Sequence, residues 1–118
     1  MSSNPAIAEP DSAPAAAILC VDDEPNILSA LRRLFRSQGY RVHTAESARA
    51  GLELLEREPV DLVISDMRMP EMNGADFLEI VRARWPATLR LLLTGYADVQ
   101  SILGAINRGE IYRYITKP

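Results

Sequence analysis

Residues 60–75 read "VDLVISDMRMPEMNGA". A short apolar run through Leu62, Val63 and Ile64 stops at an acidic residue, Asp66. Behind it come three methionines, a proline, an asparagine and a glycine, and then a new apolar pattern. A continuous apolar run of this length bounded by turn residues reads as a buried strand, here over 60–65. Its end pushes a carboxylate out of the core. Pro70 restricts the loop behind it, and Gly74 permits a tight entry into a helix. Met69 and Met72 are placed to tuck against neighbouring apolar side chains.

Working outward, the same strand-then-helix unit recurs. "AAILCV" (16–21) is an apolar run followed by "DDE", and Pro25 sits at a natural first helical position. Ile27, Leu28, Leu31, Leu34 and Phe35 repeat at helical spacing, and Gly39 closes that helix. "RVHTA" (41–45) is a second strand. Ala48, Leu52 and Leu55 mark a second helix that must stop before Pro59. The third helix spans about Gly74 to Arg84, with Phe77, Leu78 and Val81 facing inward and Pro86 beyond its end. "LRLLLT" (89–94) is strand four. Asp98 can cap a fourth helix carrying Val99, Ile102, Leu103 and Ile106, with Gly109 past its end, and "IYRYIT" (111–116) is strand five. Alternation of this kind predicts an α/β fold: one doubly wound, five-stranded parallel sheet covered by helices on both faces. Strands one, three and four are nearly uniformly apolar, as two-sided burial requires. No helix follows strand five, so the sequence predicts a domain over 16–118 that ends before a fifth helix, with apolar surface exposed near Ile106 and Tyr112 and, in consequence, a homodimer contact, cover by another partner, or poor stability.

The chain of 118 residues carries a formal charge of −3. That suits one small domain with its own core and makes no general case for nucleic-acid binding. Residues 1–15, rich in Ala, Pro and Ser, are expected to be a flexible leader. Cys20 is the single cysteine, so no internal disulfide can form and a reducing, cytoplasmic setting is expected. No stretch reaches the roughly 18 apolar residues of a membrane span, and the first residues lack a signal-peptide pattern.

In an open parallel sheet, ligands bind beyond the carboxyl ends of the strands. Strand one ends in Asp22 and Asp23, strand three in Asp66, strand four in Thr94 and strand five in Lys117. Carboxylates gathered on one rim repel one another and call for a cation. An all-oxygen donor set without a His or Cys cluster favours Mg²⁺, which uses one or two carboxylates together with a phosphate oxygen. Lys117 supplies a compact positive charge and Thr94 a hydroxyl donor for such an oxygen. This set suits phosphoryl transfer, with Asp66 as the nucleophile that becomes an aspartyl-phosphate.

The motifs "VDDE" (21–24), "SDMRMPEMNG" (65–74), "LTGY" (93–96) and "YITKP" (114–118) resemble those of the receiver domains of bacterial two-component response regulators, the chemotaxis receivers among them. The resemblance implies strand order 2-1-3-4-5, flavodoxin-like. It implies that Asp66 accepts a phosphoryl group from a sensor histidine kinase or phosphotransfer protein. Asp23 would ligate Mg²⁺ directly, Asp22 would help through water, and the backbone carbonyl of Arg68 would be a further ligand. Thr94 and Tyr114 would form a switch pair that repacks the face made by helix four and strand five. Lys117 would contact the phosphoryl group, aimed by a cis bond to Pro118. The domain would catalyse only its own phosphorylation and dephosphorylation, and would not be an enzyme proper. The bulky Arg68 and Tyr96, each two residues past Asp66 and Thr94, would shield the phosphoryl group from water. "INRGEIYRYITKP" (106–118) further resembles receivers joined to cyclic-di-GMP phosphodiesterases or to transcription-activating ATPases, which would then be the output.

Two rivals compete with this reading. A haloacid-dehalogenase-like phosphatase would share the nucleophile but needs a second aspartate where Arg68 stands. A receiver-like interaction module would keep the acidic rim without being phosphorylated. Elsewhere the sequence predicts plain roles: Asp61 a solvated strand-start residue, His43 a solvated polar residue, Cys20 a small core residue, Trp85 partial cover for the core, and "LRRLFR" and "RARW" solvated helix faces.

Overall fold

A computed structural model describes residues 16–93. The order is β1 (Ala17–Val21), α1 (Pro25–Ser37), β2 (Arg41–Ala45), α2 (Ala48–Arg57), β3 (Leu62–Asp66), α3 (Gly74–Arg84) and β4 (Leu89–Leu93). The four strands form one parallel sheet in the order β2-β1-β3-β4. The predicted doubly wound order holds over these four strands. The predicted fourth helix and fifth strand, the leader, the Lys117–Pro118 bond and the surface near Ile106 and Tyr112 lie outside the described residues.

Alternation along the strands sorts the core into two halves. Ile18, Cys20, Leu62 and Ile64 face α1 and pack with Leu28, Leu31 and Phe35. Leu19, Val21 and Val63 face the other way, onto Ala48 and Leu55 of α2 and Phe77 and Val81 of α3. Successive strand side chains point to opposite faces, so both halves come from the same few residues. Fully burying one Leu, Val or Phe side chain contributes about 1.5–3 kcal/mol, which makes these two layers the main source of stability.

The helix ends follow from local chemistry. Pro25 starts α1, and Gly39, at φ +92°, ends it. The Gly39 N–H donates to the Arg36 carbonyl and the Tyr40 N–H to the Phe35 carbonyl, a Schellman closure. The accompanying apolar contact is the edge-to-face pair of Phe35 and Tyr40, 6.0 Å apart. The Ser47 hydroxyl accepts the Ala50 N–H at the start of α2, and the Asn73 side chain accepts the Asp76 N–H at the start of α3.

Three expectations need correction. Strand three begins at Leu62 and includes Asp66, displaced from the predicted 60–65. Val60 stays buried in the core, but its carbonyl accepts the Thr88 hydroxyl instead of a ladder bond. Asp61 is more than a solvated residue. Its carboxylate accepts the Ala17 N–H at 2.8 Å, its own N–H donates to the Ala17 carbonyl, and its carbonyl accepts the Leu89 N–H. One residue thus ties together the starts of β1, β3 and β4. His43 is half-buried, and its Nε2 is shut away from solvent without a hydrogen-bond partner. It lies in register with Leu19, on the sheet face that α2 covers.

The knot at Asp61 gives a direct test. Asp61→Ala leaves the Ala17 N–H without its acceptor and should cost about 1–2 kcal/mol, read as a lower urea midpoint at unchanged slope. Asp61→Asn keeps an acceptor oxygen and should recover most of the loss. An Asp61→Ala midpoint equal to wild type would refute the bridging role.

Candidate functional site

β1 and β3 are neighbours in the centre of the sheet, so their carboxyl ends deliver Asp22, Asp23 and Asp66 to one rim. One carboxylate oxygen from each of the three lies within 4.8 Å of the others. The depths differ. Asp22 is 6% exposed, Asp66 is half-buried and Asp23 is open to solvent. Asp22 is held on both sides: its N–H donates to the Ala45 carbonyl, and its Oδ1 accepts the Glu24 N–H at 2.8 Å. That second bond folds the chain back after β1, while the helix cap at Glu24 uses no side chain. Asp22 therefore shapes the turn without capping α1.

The electrostatics match this geometry. Burial first, and then the neighbouring Asp66, Asp23 and Glu24 charges, push the Asp22 carboxyl up to about 6, against the pull of the Glu24 N–H. Burial, with Asp23 and Glu24, also raises Asp66, while the N–H groups of Met67 and Arg68 favour its ionised form. Asp22 and Asp66 both resist ionisation beside a third carboxylate, and such a donor set calls for a cation. All-oxygen ligation at one rim fits a hard divalent ion such as Mg²⁺. Cys20, two residues before this set, is fully buried, and burial pushes its thiol up to about 12. It is an inert core residue, as predicted.

The loop after Asp66 is compact because its backbone closes on itself. The Met72 N–H donates to the Pro70 carbonyl at 2.8 Å, and Glu71 between them sits at φ +71°. A hydrogen bond from residue i+2 back to i with the central φ positive is the uncommon, strained γ-turn. Met69 and Met72 pack on the core beneath, as their placement in the sequence implied. The Gly74 N–H donates to the Met67 carbonyl. A Cβ at Gly74 would fall on the Asp66 carbonyl oxygen and 2.8 Å from Leu92 Cδ1. Glycine is required there by contact, and its own φ is unexceptional. Beside the three acids an open depression of about 540 Å³ is lined by Asp23, Met67, Arg68, Met69, Pro70 and Asn73.

Of the predicted site residues, the structure brings Asp22, Asp23 and Asp66 together, with Arg68 at the edge of the depression. Thr94, Tyr96, Tyr114 and Lys117 lie outside the described residues. Sequence reasoning missed the left-handed backbone at Glu71, for which no residue-type signal exists. It also missed the Asn73 cap, which Asn-Gly at a helix start could have revealed. A third omission is Ser65, wholly buried, whose hydroxyl donates to the Asp66 carbonyl at 2.9 Å.

The raised Asp22 pKa sets a pH dependence. The folded state holds this proton more tightly than the unfolded chain does, so the group favours folding in acid. Its contribution is complete below about pH 4 and is lost as pH rises through about 6, a loss on the order of 2 kcal/mol. Without divalent ions, wild type should therefore gain stability relative to the D22N variant when pH falls from about 8 to about 5. At the higher pH, Mg²⁺ should stabilise wild type more than D22N. Denaturant titrations of both proteins with and without Mg²⁺ measure this, and parallel pH profiles would contradict it.

Comparison with known proteins bears directly on this rim. Residues 18–118 match the response regulator receiver domain family. Over 103 residues the chain is 43% identical to the hydrogenase transcriptional regulatory protein HoxA of Cupriavidus necator, covering 87% of this chain and 21% of that protein. The chain thus spans about a fifth of the length of that curated relative. Among solved structures, it is similar to the signal receiver domain of an HD domain-containing protein from Pseudomonas fluorescens, with 41% identity and a TM-score of 0.68 over 84% of this chain and 73% of that one. It is also similar to the response regulator TrrA from Thermotoga maritima, solved in complex with Mg²⁺ and BeF, with 34% identity and a TM-score of 0.66 over 77% of this chain and 79% of that one. The chain belongs to the response regulator receiver domains, the phosphoacceptor signalling domains of two-component systems.

Proposed function

We propose that Asp66 is the phosphoacceptor of this domain and that a sensor histidine kinase or phosphotransfer protein supplies the phosphoryl group. The observation that carries this reading is the joint placement of Asp22, Asp23 and Asp66 within 4.8 Å at the ends of two neighbouring central strands. A carboxylate oxygen of Asp66 attacks phosphorus, the P–N bond of the phosphohistidine breaks, and its electron pair returns to the imidazole nitrogen. The product is an acyl phosphate on Asp66. Asp23, Asp66 and the Arg68 carbonyl, with Asp22 acting through water, are the groups that would hold Mg²⁺, which neutralises charge that builds on the phosphoryl oxygens. The chain's own contribution is positional: β3 presents Asp66, the N–H groups of Met67 and Arg68 lie against its carboxylate, and the open depression beside it leaves room for the donor. By resemblance, Lys117 and Thr94 are assigned to the phosphoryl oxygens and Tyr114 to the switch.

The domain on this reading turns over no external substrate and acts through an output. HoxA is a transcriptional regulatory protein much longer than this chain, and the Pseudomonas fluorescens receiver belongs to an HD domain-containing protein. By the resemblance of residues 106–118, the output we propose is a transcription-activating ATPase or a cyclic-di-GMP phosphodiesterase. No helix among the described residues is long and apolar enough to cross a membrane, and we assign the domain to the bacterial cytoplasm.

Incubation with acetyl phosphate and Mg²⁺ should add the mass of one phosphoryl group to wild type and nothing to D66A. Beryllium fluoride with Mg²⁺ should raise the melting temperature of wild type alone. Phosphorylation of D66A at the wild-type level would overturn the assignment. In a protein carrying the output domain, Thr94→Ala should accept phosphate yet lose most of the change in output, and an unimpaired response would refute the switch role.

A further inference from the structure

The geometry points to Ser65 as a positioning residue that locks the peptide group between Asp66 and Met67 and so fixes the carboxylate of Asp66 for phosphoryl transfer; it rests on the reading of Asp66 as phosphoacceptor.

A peptide group is a rigid plane, so fixing its carbonyl also fixes its N–H. In this one the Asp66 carbonyl accepts the Ser65 hydroxyl at 2.9 Å. At the other end, the Met67 N–H donates to the Leu93 carbonyl at 2.9 Å and also lies against the Asp66 carboxylate, favouring its charged form. The carbonyl faces Gly74 so closely that no Cβ can stand there. The same plane thus joins a buried hydroxyl on the core side to the reacting carboxylate on the rim.

Ser65 itself is unusual for its place. It is 0% exposed, and the three strand residues before it are Leu, Val and Ile. A buried hydroxyl is costly unless it is hydrogen-bonded, and this one spends its proton on the carbonyl of the next residue instead of on a distant partner. Val63, two residues earlier on the same face, packs on α3 with carbon alone. A hydroxyl at position 65 therefore answers a need at the strand end that packing does not. Without it, the Asp66–Met67 plane is free to tilt, and a tilt moves both the carboxylate and the N–H that stabilises it. Misplacement of a reacting group by about an ångström can cost on the order of a hundredfold in rate.

The test uses the 118-residue chain with acetyl phosphate and saturating Mg²⁺, reading the phosphorylation rate by intact mass, well below each variant's melting temperature. Ser65→Ala should slow phosphorylation roughly tenfold or more. Ser65→Thr, which keeps the hydroxyl, should stay within about threefold of wild type. A merely structural serine would lower the melting temperature in Ser65→Ala and leave the rate of the folded protein unchanged, and that result overturns the inference. Should Ser65→Ala fail to fold, Ser65→Cys takes its place: nearly the same shape with a weak donor, it should be slow where Ser65→Thr is fast. Equal rates for those two variants also overturn it. Failure of the wild-type chain to be phosphorylated would instead remove the reading of Asp66 on which Ser65 depends.

Discussion

Three negative charges want to separate, and the sheet does not let them. Parallel pairing of β1 with β3 fixes where each strand ends, and the acids are carried by those ends. Coulomb repulsion at such spacing is weak in water and much stronger where solvent is excluded, and Asp22 lies in the excluded part. The core on both faces of the sheet holds this arrangement against its own repulsion, so the site is a strained charge distribution held by hydrophobic burial. Such a site is poised to respond to whatever brings positive charge or adds a proton to the set. A loosely built rim would relax by moving the side chains apart.

The same logic explains the turn behind Asp66. Between the strand end and α3 the chain has little room, and it closes with a γ-turn at Glu71 and a direct backbone approach of Gly74 to Asp66. Strain in the loop persists because Met69 and Met72 anchor it to the core and Asn73 caps the helix that follows. Loop, cap and methionines form one mechanical unit. Its task is to begin α3 close to the reacting carboxylate without covering it.

Much of this was legible in the residues. Short strand-like runs and period-3.6 apolar patterns located all seven described elements, and Gly39 and Pro25 marked the limits of α1. Asp22, Asp23 and Asp66 could be grouped because topology places strand ends together wherever the residues lie in sequence. The hidden features are those that depend on a specific neighbour. Asp61 looked like any acid at a strand start until the Ala17 N–H was found opposite it. His43 sits in an edge strand, where polarity usually means solvent, yet α2 covers its face of the sheet. Nothing in the letters of "PEM" announces a positive φ at a glutamate. Pattern reports which side of an element is apolar; it is silent on what one polar atom will meet.

Cys20 lies at the heart of the sheet, two residues from the acidic rim, with its sulfur enclosed on every side and its proton held far above physiological pH. Oxidants and alkylating agents act on the thiolate, so neither should reach it while the domain is folded. The chain contains no second cysteine. A spectroscopic label attached through a cysteine introduced at the surface would thus report from one chosen place, and modification of Cys20 would serve as a clock for unfolding.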